Sequence, residues 1–291
     1  MLLGLVGSEM CIRDSTTSTL QQEASRKLGF GVTRTMSTAQ KLYEAGLITY
    51  MRTDSVTISN EAKSSIVQKI ESKYGEDYVN LRDYKNKNKS AQEAHEAVRP
   101  TDINIEEITS DYDQQRLYHL IWKRTISSQM SDAQIERTVV NIQSDSYNEF
   151  FVARGEVIKF DGFLRVYNEG TDDEIEEEKG VLPVLSINEN LNLLSISSRE
   201  SFSRPPSRFT EASLVKKLEE LGIGRPATYA TTISTIQNRG YIAKGVNEGL
   251  DRNYNLIEFS KNGIKESQLK EKTGSNKGKL VPTDIGMIVN D

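Results

Sequence analysis

The chain has 291 residues and a formal net charge of −5, and its 36% hydrophobic and 27% charged residues are typical of a globular protein with a hydrated surface. No run approaches the roughly 18–20 apolar residues that cross a bilayer, so we expect no membrane contact. The single cysteine, Cys11, excludes an internal disulfide and a cysteine-built zinc site.

The net charge conceals two regions of opposite sign. Residues 169–178 (EGTDDEIEEE) contain seven acids and no base, which is typical of a solvated loop. Between Arg204 and Lys244 there are seven bases and three acids, a local net charge of +4. Because salt screens charges beyond about 10 Å, phosphate binding depends on the local patch more than on the total. The negative total therefore does not exclude nucleic acid.

The first fifteen residues differ in character from the sequence that follows. Residues 1–15 (MLLGLVGSEMCIRDS) lack the basic flank and long apolar core of a secretion signal. At Thr16 the sequence changes abruptly to a helical pattern. We interpret residues 1–15 as a non-native leader. Residues 290–291 bring no closing element, so we interpret both ends of the chain as cut.

Residues 16–134 are predicted to form a helical domain. A first helix begins after Thr16, and a second runs from about Thr33 to Ala45, where Gly46 closes it at a left-handed position. Residues 47–52 alternate and are rich in β-branched side chains, which predicts a strand and completes the order of a winged helix-turn-helix. Two more helices are predicted, one from Ser59 to Gly75 and one from Gln114 to Met130.

From residue 135 the hydrophobic period changes to two, which predicts a β-rich domain over residues 135–205. The Asp161-Gly162 pair is predicted as a turn. A proline-broken linker at 203–208 ends the domain. The predicted strands are 138–143 (TVVNIQ), 150–160 (FFVARGEVIKF), 163–167 (FLRVY) and 191–197 (LNLLSIS).

Residues 206–291 are predicted to form a second winged-helix-like domain. Thr210 caps a helix, Gly222-Ile223-Gly224 interrupts it, Pro226 starts the next helix and Gly240 ends that one. The segments LGFGVTRTMSTAQKLYEAGLITY and LGIGRPATYATTISTIQNRGYIAK share this order, a weak internal repeat. Such units bring a helix and a wing to DNA, although many only pack against their neighbours. The predicted fold class is α+β and multidomain.

The segment GLITYMRTDS (46–55) offers a nucleophile beside a cation. On a strand, Tyr50, Arg52 and Asp54 leave the same face, while Thr53 and Ser55 point the other way and can hydrogen-bond the backbone. A phenol is a poor nucleophile at neutral pH, but a neighbouring guanidinium stabilises both the phenolate and the charge that develops on a phosphate oxygen. Spacing alone equally fits a packing tyrosine and a solvated arginine.

Two further segments could contact phosphate. In AQEAHEAVRPTD (91–102), a helix would place His95 and Arg99 one turn apart, although a surface imidazole fits as well. In GIGRPATY (222–229), glycines before a helix let backbone N–H groups approach an anion. Arg225 and Thr228 would contact the same phosphate, and Arg239 another. A tight interhelical corner is the alternative interpretation, and His119 is interpreted as structural.

At these segments the sequence resembles the type IA DNA topoisomerases, the family of bacterial topoisomerase I. The matching runs occur in the family's order, and the likeness extends over nearly all of the chain from Thr16 onward. They are TSTLQQEASRKLGFGVTRTMSTAQKLYEAGLITYMRTDS, SAQEAHEAVRPTD and RFTEASLVKKLEELGIGRPATYATTISTIQNRGYI.

The resemblance implies specific roles. Tyr50 is the nucleophile that forms a 5′-phosphotyrosyl ester, Arg52 assists it at the phosphate, and His95 is the histidine of the active-site region. The implied activity is ATP-independent relaxation of negatively supercoiled DNA by cleavage, strand passage and religation. The residues that it implies contact single-stranded DNA are Arg52, Arg225, Thr228, Arg239 and Gly240.

The resemblance also implies a partial toroidal core, in which winged-helix-like parts flank a β-rich arch, in a monomeric, nucleoid-associated protein of the bacterial cytoplasm. It implies Mg²⁺ as cofactor, but nothing in this chain matches the family's acidic metal-binding domain or its zinc tail, and we assign no metal ligand here. We therefore expect the chain alone to bind single-stranded DNA weakly and to relax no plasmid.

The main alternative function is a non-catalytic winged-helix DNA-binding protein. A nicking enzyme with a histidine pair is disfavoured because His95 and His119 lack His-x-His spacing. A tyrosine recombinase would need its own arginine–histidine–arginine set, which the sequence does not offer. A purely structural protein would leave the matching runs unexplained.

Overall fold

The computed structural model describes residues 2–10, 12, 15–84, 96–143, 148–168, 182–183 and 185–290. The helices are α1 (Thr17–Leu28), α2 (Val32–Glu44), α3 (Asn60–Tyr74), α4 (Tyr112–Ser128), α5 (Glu211–Glu220), α6 (Tyr229–Asn238) and α7 (Asp284–Asn290). The strands are β1 (Leu2–Met10), β2 (Ala133–Gln143), β3 (Phe150–Phe160), β4 (Ser195–Arg199), β5 (Ile242–Lys244), β6 (Leu250–Ser260), β7 (Gly263–Thr273) and β8 (Leu280–Pro282).

The chain divides into two compact units. Unit 1 comprises Met1–Ile187 with Ala212–Thr232, and unit 2 comprises Asn188–Glu211 with Ile233–Asp291. The mixture of helices and sheets confirms the predicted α+β class. The three-domain division predicted from the sequence stays a prediction.

Helices α1 to α4 build the core of unit 1, close to their predicted bounds. Side-chain caps mark the starts of α3 and α4: Ser59 accepts from the N–H of Ala62, and Asp111 accepts from the N–H of Gln114. After α2, Gly46 has a φ of 71°, the left-handed value expected there. The largest side chains buried in this core include Leu20, Phe30, Leu42, Ile66, Ile70, Tyr118 and Trp122.

The sheet of unit 1 has the order β1-β2-β3, with both pairs antiparallel. Residues 2–10, which belong to the segment interpreted as a leader, pair with residues 133–141 of β2. Ile12 is 2% exposed and belongs to the helical core. The non-native origin of residues 1–15 stays a prediction, since pairing does not reveal where a segment comes from.

The strand prediction for residues 163–167 is wrong. Gly162–Arg165 forms a 3₁₀ turn that begins at Gly162, whose φ is 48°. The N–H of Phe163 donates to the Ser131 carbonyl, and Phe163 and Tyr167 are both buried in the helical core. The period of two was misleading because these apolar side chains fill the helical core, whereas their backbone extends no sheet.

Unit 2 contains two antiparallel sheets, one of order β4-β6-β7 and one that pairs β5 with β8. Of the strand predicted at 191–197, only residues from 195 are in β4, which ends at Arg199. The acidic run at 169–178 lies outside the described residues. Within the described part of the chain, no helix is long and apolar enough to span a bilayer.

Candidate active site

The segment that carries Tyr50 is a series of bends and not a strand, so the strand prediction for residues 47–52 is wrong. Its only ladder contact among the described residues is an isolated bridge between Ile48 and Pro100. From Tyr50 to Ser55 the burial nevertheless alternates: Tyr50 is 36% exposed and Arg52 is exposed, whereas Met51, Thr53 and Ser55 are buried. Ile48, which a period of two would place on the face of Tyr50, is buried and departs from the predicted alternation.

The hydroxyl and the N–H of Thr17 supply the backbone hydrogen bonds that a neighbouring strand would supply in a sheet. Thr17, the first residue of α1, donates its N–H to the Thr53 carbonyl at 2.9 Å. Its hydroxyl donates to the Met51 carbonyl at 2.7 Å and accepts from the N–H of Thr53 at 2.8 Å. The segment is thereby fixed against the start of α1.

The other flank of the segment is held by residues 97–101. The N–H of Thr49 donates to the Arg99 carbonyl at 2.9 Å, and the Thr49 hydroxyl donates to the Ala97 carbonyl at 2.7 Å. In return, the N–H of Thr101 donates to the Leu47 carbonyl at 3.1 Å. Hydrogen bonds therefore hold the backbone of the segment on both flanks, although the segment belongs to no sheet.

Thr53 and Ser55 turn inward and bond the backbone, as the alternation predicted. The Thr53 hydroxyl accepts from the N–H of Ser55 at 3.0 Å, and the Ser55 hydroxyl accepts from the N–H of Thr57 at 3.1 Å. Such local bonds from short polar side chains compete with ladder pairing. They explain in part why this β-branched stretch does not join a sheet.

The ring of Tyr50 lies at the surface beside another tyrosine. The Tyr43 ring, on α2, meets it edge-on with centroids 5.3 Å apart and an angle of 67° between the planes. Tyr43 is 41% exposed. The phenol at position 50 is therefore accessible to a partner molecule and is not sealed in an apolar interior.

The segment around α5 and the start of α6 lies close to this site within unit 1. The Ser18 hydroxyl donates to Glu219 at 2.6 Å. Tyr229 is 6% exposed, and its pKa is raised by burial and then by the negative charges of Glu219 and Asp54, with Arg225 opposing them. Asp54, two positions after Arg52, is thus close enough to Tyr229, the first residue of α6, for its charge to act on the phenol.

Several N–H groups of the GIGRPATY corner are bonded within the chain. The N–H of Gly222 donates to the Glu219 carbonyl, and the N–H of Ile223 donates to the Leu218 carbonyl. The N–H of Arg225 donates to the Thr228 hydroxyl at 2.8 Å. These groups already have acceptors within the chain, because the glycine turn closes the end of α5. The exposed Arg225 side chain is the chief candidate of the corner for phosphate contact.

Pro226 precedes the helix that it was predicted to start. A turn over residues 226–228 leads into α6, which begins at Tyr229. The Arg225 carbonyl accepts from the N–H groups of Thr228 and Tyr229, and the Arg225 guanidinium donates to the Gly224 carbonyl at 2.8 Å. Arg225 is therefore held partly by its own turn.

Arg239 and Gly240 belong to unit 2 and follow the end of α6. Arg239 is exposed, and Gly240 has a φ of 69°. The Thr283 hydroxyl donates to the Gly240 carbonyl at 2.5 Å. The corner is well defined within its own unit.

His95 lies outside the described residues. Residues 96–100, which follow it, are not helical, so the helix predicted to stack His95 on Arg99 is not formed there. Arg99 instead pairs with Glu96 at 2.5 Å. Burial alone would raise the pKa of Glu96, but bonds from Ser59 and the charge of Arg99 lower it. Extended backbone before Pro100 is what proline sterics favour.

The described residues do not fit a resident metal ion. Across the part of the chain that the structure describes, no group of three or more histidine, cysteine, aspartate or glutamate side chains is arranged to hold one. Asp54 and Glu219 are both near Tyr229, but they are only two carboxylates.

The polar residues that fix the site escaped sequence reasoning. Thr17, Ser18, Glu219 and Tyr229 all carry contacts that link segments far apart in the chain. The run of hydroxyl residues before α1 was interpreted only as a helix cap. Thr16 does act in that way, in a reciprocal cap with Thr19. Nothing local in the sequence signals the tertiary role of the next two residues.

Comparisons with known proteins agree on one family. A family model described as "DNA topoisomerase" matches residues 14–266. DNA topoisomerase 1 of Rickettsia conorii is 50% identical over 243 residues, which is 78% of this chain and 31% of that protein. A prokaryotic-type DNA topoisomerase 1 of Acanthamoeba polyphaga mimivirus is 44% identical over 298 residues, covering 95% of this chain and 35% of that protein.

A solved structure gives the same answer. Full-length topoisomerase I from Thermotoga maritima superposes with a TM-score of 0.71 at 31% sequence identity, covering 99% of this chain and 43% of that one. The chain spans about a third of the length of the curated relatives it matches.

Proposed function

Because this chain belongs to the type IA DNA topoisomerase family, we propose that it carries the strand-cleaving tyrosine of an enzyme that relaxes negatively supercoiled DNA. The observation that carries the proposal is the arrangement at Tyr50. Its ring is 36% exposed, Arg52 two residues later is exposed, and Met51 between them is fully buried. Exposed side chains on either side of a buried one tend to leave a chain segment on the same side, so we expect one DNA strand to reach both.

The proposed reaction is a reversible phosphoryl transfer. The Tyr50 phenol loses its proton, and its oxygen forms a bond to a backbone phosphorus. The bond from phosphorus to the 3′ oxygen breaks, and that oxygen takes up a proton to leave as a hydroxyl. Religation runs the same steps backwards after another strand has passed through the gap. One ester replaces another, so the reaction consumes no ATP.

Arg52 would stabilise the reacting phosphate. A guanidinium placed where negative charge develops lowers the barrier most when its position is fixed in advance. The segment around Arg52 has that property, since hydroxyl and backbone contacts hold it from two sides. His95 is proposed as a further group of the active-site region, on the resemblance of its segment alone.

Single-stranded DNA is the proposed partner of a monomeric protein. Arg225 and Thr228 in unit 1, and Arg239 and Gly240 in unit 2, are the proposed contacts outside the cleavage segment. The excess of bases between Arg204 and Lys244 supports this, because phosphate neutralisation supplies most of the non-specific affinity for nucleic acid. Mg²⁺ is the cofactor that the family implies. The described residues do not fit it, and no step of the proposed reaction runs through it.

Covalent trapping tests the proposal. The chain is incubated with a single-stranded oligonucleotide labelled at its 3′ end, then with one labelled at its 5′ end, and denatured. A 5′-phosphotyrosyl ester retains the 3′ label on the protein and releases the 5′-labelled piece. Tyr50→Phe should abolish the adduct and leave the dissociation constant unchanged.

Tyr43→Phe is the matched control, since Tyr43 is the exposed neighbour of the proposed nucleophile. That variant should still form the adduct. Adduct from Tyr50→Phe would overturn the assignment of the nucleophile. Tight binding with no adduct from any form of the chain would favour the non-catalytic DNA-binding alternative.

A further inference from the structure

One hydroxyl fixes the backbone on both sides of Arg52. Thr17 is fully buried. Its Oγ1 donates to the Met51 carbonyl at 2.7 Å, with the Thr53 carbonyl at 3.0 Å as a second acceptor, and it accepts from the N–H of Thr53 at 2.8 Å. The Met51 carbonyl belongs to the peptide plane before Arg52, and the Thr53 N–H belongs to the plane after it.

Pinning both planes sets the direction of the Arg52 side chain. Peptide groups are planar, so the two soft dihedral angles of Arg52 describe how its flanking planes are turned relative to each other. With both planes bonded to the same oxygen, these angles have little freedom. The direction in which the Cβ of Arg52 leaves the backbone is then set by Thr17.

The first turn of α1, which carries Thr17, is itself held by hydrogen bonds. Thr16 and Thr19 close the first turn of α1 with a reciprocal cap, in which the Thr19 hydroxyl accepts from the N–H of Thr16 at 2.8 Å. Ser18 accepts from the Gln22 amide at 3.0 Å and donates to Glu219 at 2.6 Å. Thr17 therefore sits in a turn whose neighbours on both sides are already bonded.

We propose that Thr17 is a positioning residue for Arg52, and through Arg52 for the phosphate that Tyr50 attacks. This inference rests on the proposed function. Displacement of a reacting or stabilising group by about 1 Å can cost about a hundredfold in rate, so the placement of Arg52 matters beyond its charge. A threonine that only completed the core would influence folding stability without this specific link to Arg52.

Three variants separate these roles. Thr17→Val keeps the shape but removes the hydroxyl, and Thr17→Ser keeps the hydroxyl. Thr35→Val is the matched control, because Thr35 is also fully buried and its hydroxyl donates to the Gly31 carbonyl at 3.1 Å on α2. All three are compared with the unaltered chain for melting temperature, so that a general loss of stability is recognised.

The first measurement is amide hydrogen exchange at Thr53, whose N–H loses its acceptor in Thr17→Val. Exchange there should quicken about tenfold in that variant and stay within about twofold of the unaltered chain in Thr17→Ser and Thr35→Val. Unchanged exchange at Thr53 in Thr17→Val would overturn the inference, whatever happens with DNA.

The second measurement is a double-mutant cycle on oligonucleotide binding. Thr17→Val should weaken binding about three- to tenfold in the unaltered chain and less than about twofold when Arg52→Ala is already present, since coupled residues are not additive. Equal weakening in both backgrounds would overturn the inference. If Arg52→Ala itself binds as tightly as the unaltered chain, the proposed role of Arg52 fails, and exchange at Thr53 still decides whether Thr17 holds the segment.

Discussion

The ring of Tyr43 lies edge-on to the ring of Tyr50, with the two centroids 5.3 Å apart. Edge-to-face pairs at this separation are favoured because the positive rim of one ring meets the negative face of the other. Tyr43 belongs to α2, which packs against α1 and α4 in the core of unit 1. The helix therefore places an aromatic wall beside the phenol.

Removal of the Tyr43 ring should leave the Tyr50 side chain less well ordered. Tyr43→Ala is expected to lower the free energy of unfolding by about 0.5–1.5 kcal/mol, the range of an aromatic pair, and to slow formation of the covalent adduct several-fold. Tyr43→Phe keeps the ring and should stay close to the unaltered chain in both respects. Chemical denaturation and the trapping rate are the measurements. Equal damage from both variants would assign the effect to the Tyr43 hydroxyl.

Arg225 should contribute about one phosphate contact. The logarithm of the affinity for single-stranded DNA falls with the logarithm of salt concentration by about 0.7 for each phosphate neutralised. Arg225→Ala should reduce that slope by about this amount, and Lys261→Ala, in the exposed turn between β6 and β7, should leave it unchanged. Fluorescence anisotropy at several salt concentrations gives the slope. An identical slope for Arg225→Ala and the unaltered chain would remove Arg225 from the DNA contacts.

The helices of unit 1 could be predicted from the sequence because their bounds depend on local chemistry. The helices of unit 1 have caps, apolar stripes and terminating glycines that occur within a few residues of each other, and Ser59, Gly46 and Gly75 all mark helix ends as predicted. The alternation of exposed and buried side chains from Tyr50 to Ser55 follows the predicted period of two, although the segment joins no sheet.

What was missed depends on contacts between distant segments. The strand predicted at 47–52 failed because its backbone partners are the Thr17 hydroxyl and the backbone of Arg99 and Thr101. The strand predicted at 163–167 failed because Phe163 and Tyr167 pack into helices. The anion cradle predicted at Gly222 and Gly224 stays a prediction, although the N–H of Gly222 is already bonded to the Glu219 carbonyl. Alternation of side chains and glycine content indicate local tendencies only. Whether a segment joined a sheet was decided by its contacts with residues far away in the sequence.

Glu23 should make the protein sensitive to acid. It is 1% exposed, accepts from the Tyr167 hydroxyl at 2.5 Å and pairs with Arg26 at 3.0 Å. Burial alone would raise its pKa, but the Tyr167 bond and the charges of Arg124 and Lys27 outweigh burial, and the pKa lies below the ordinary value of 4.5.

The lowered pKa means that the unfolded chain takes up this proton more readily than the folded protein. The stabilisation is therefore fully present above pH 4.5 and is lost as the pH falls through the folded-state pKa. Glu23→Gln should melt at a lower temperature at pH 7, and the gap between the two proteins should narrow as the pH falls below 4.5. Thermal melts across that interval measure both. A gap that stays constant with pH would contradict the prediction.

The hydrogen bonds from the Thr17 hydroxyl to the backbone of Met51 and Thr53 have a spatial consequence. In a sheet, side chains of an adjacent strand would stand about 5 Å from Tyr50 and Arg52 on the same face and would crowd their approach. A single oxygen reaching in from a helix end satisfies the backbone with far less bulk. On the side that Thr17 occupies, Tyr50 and Arg52 therefore do not share their face with the side chains of a paired strand.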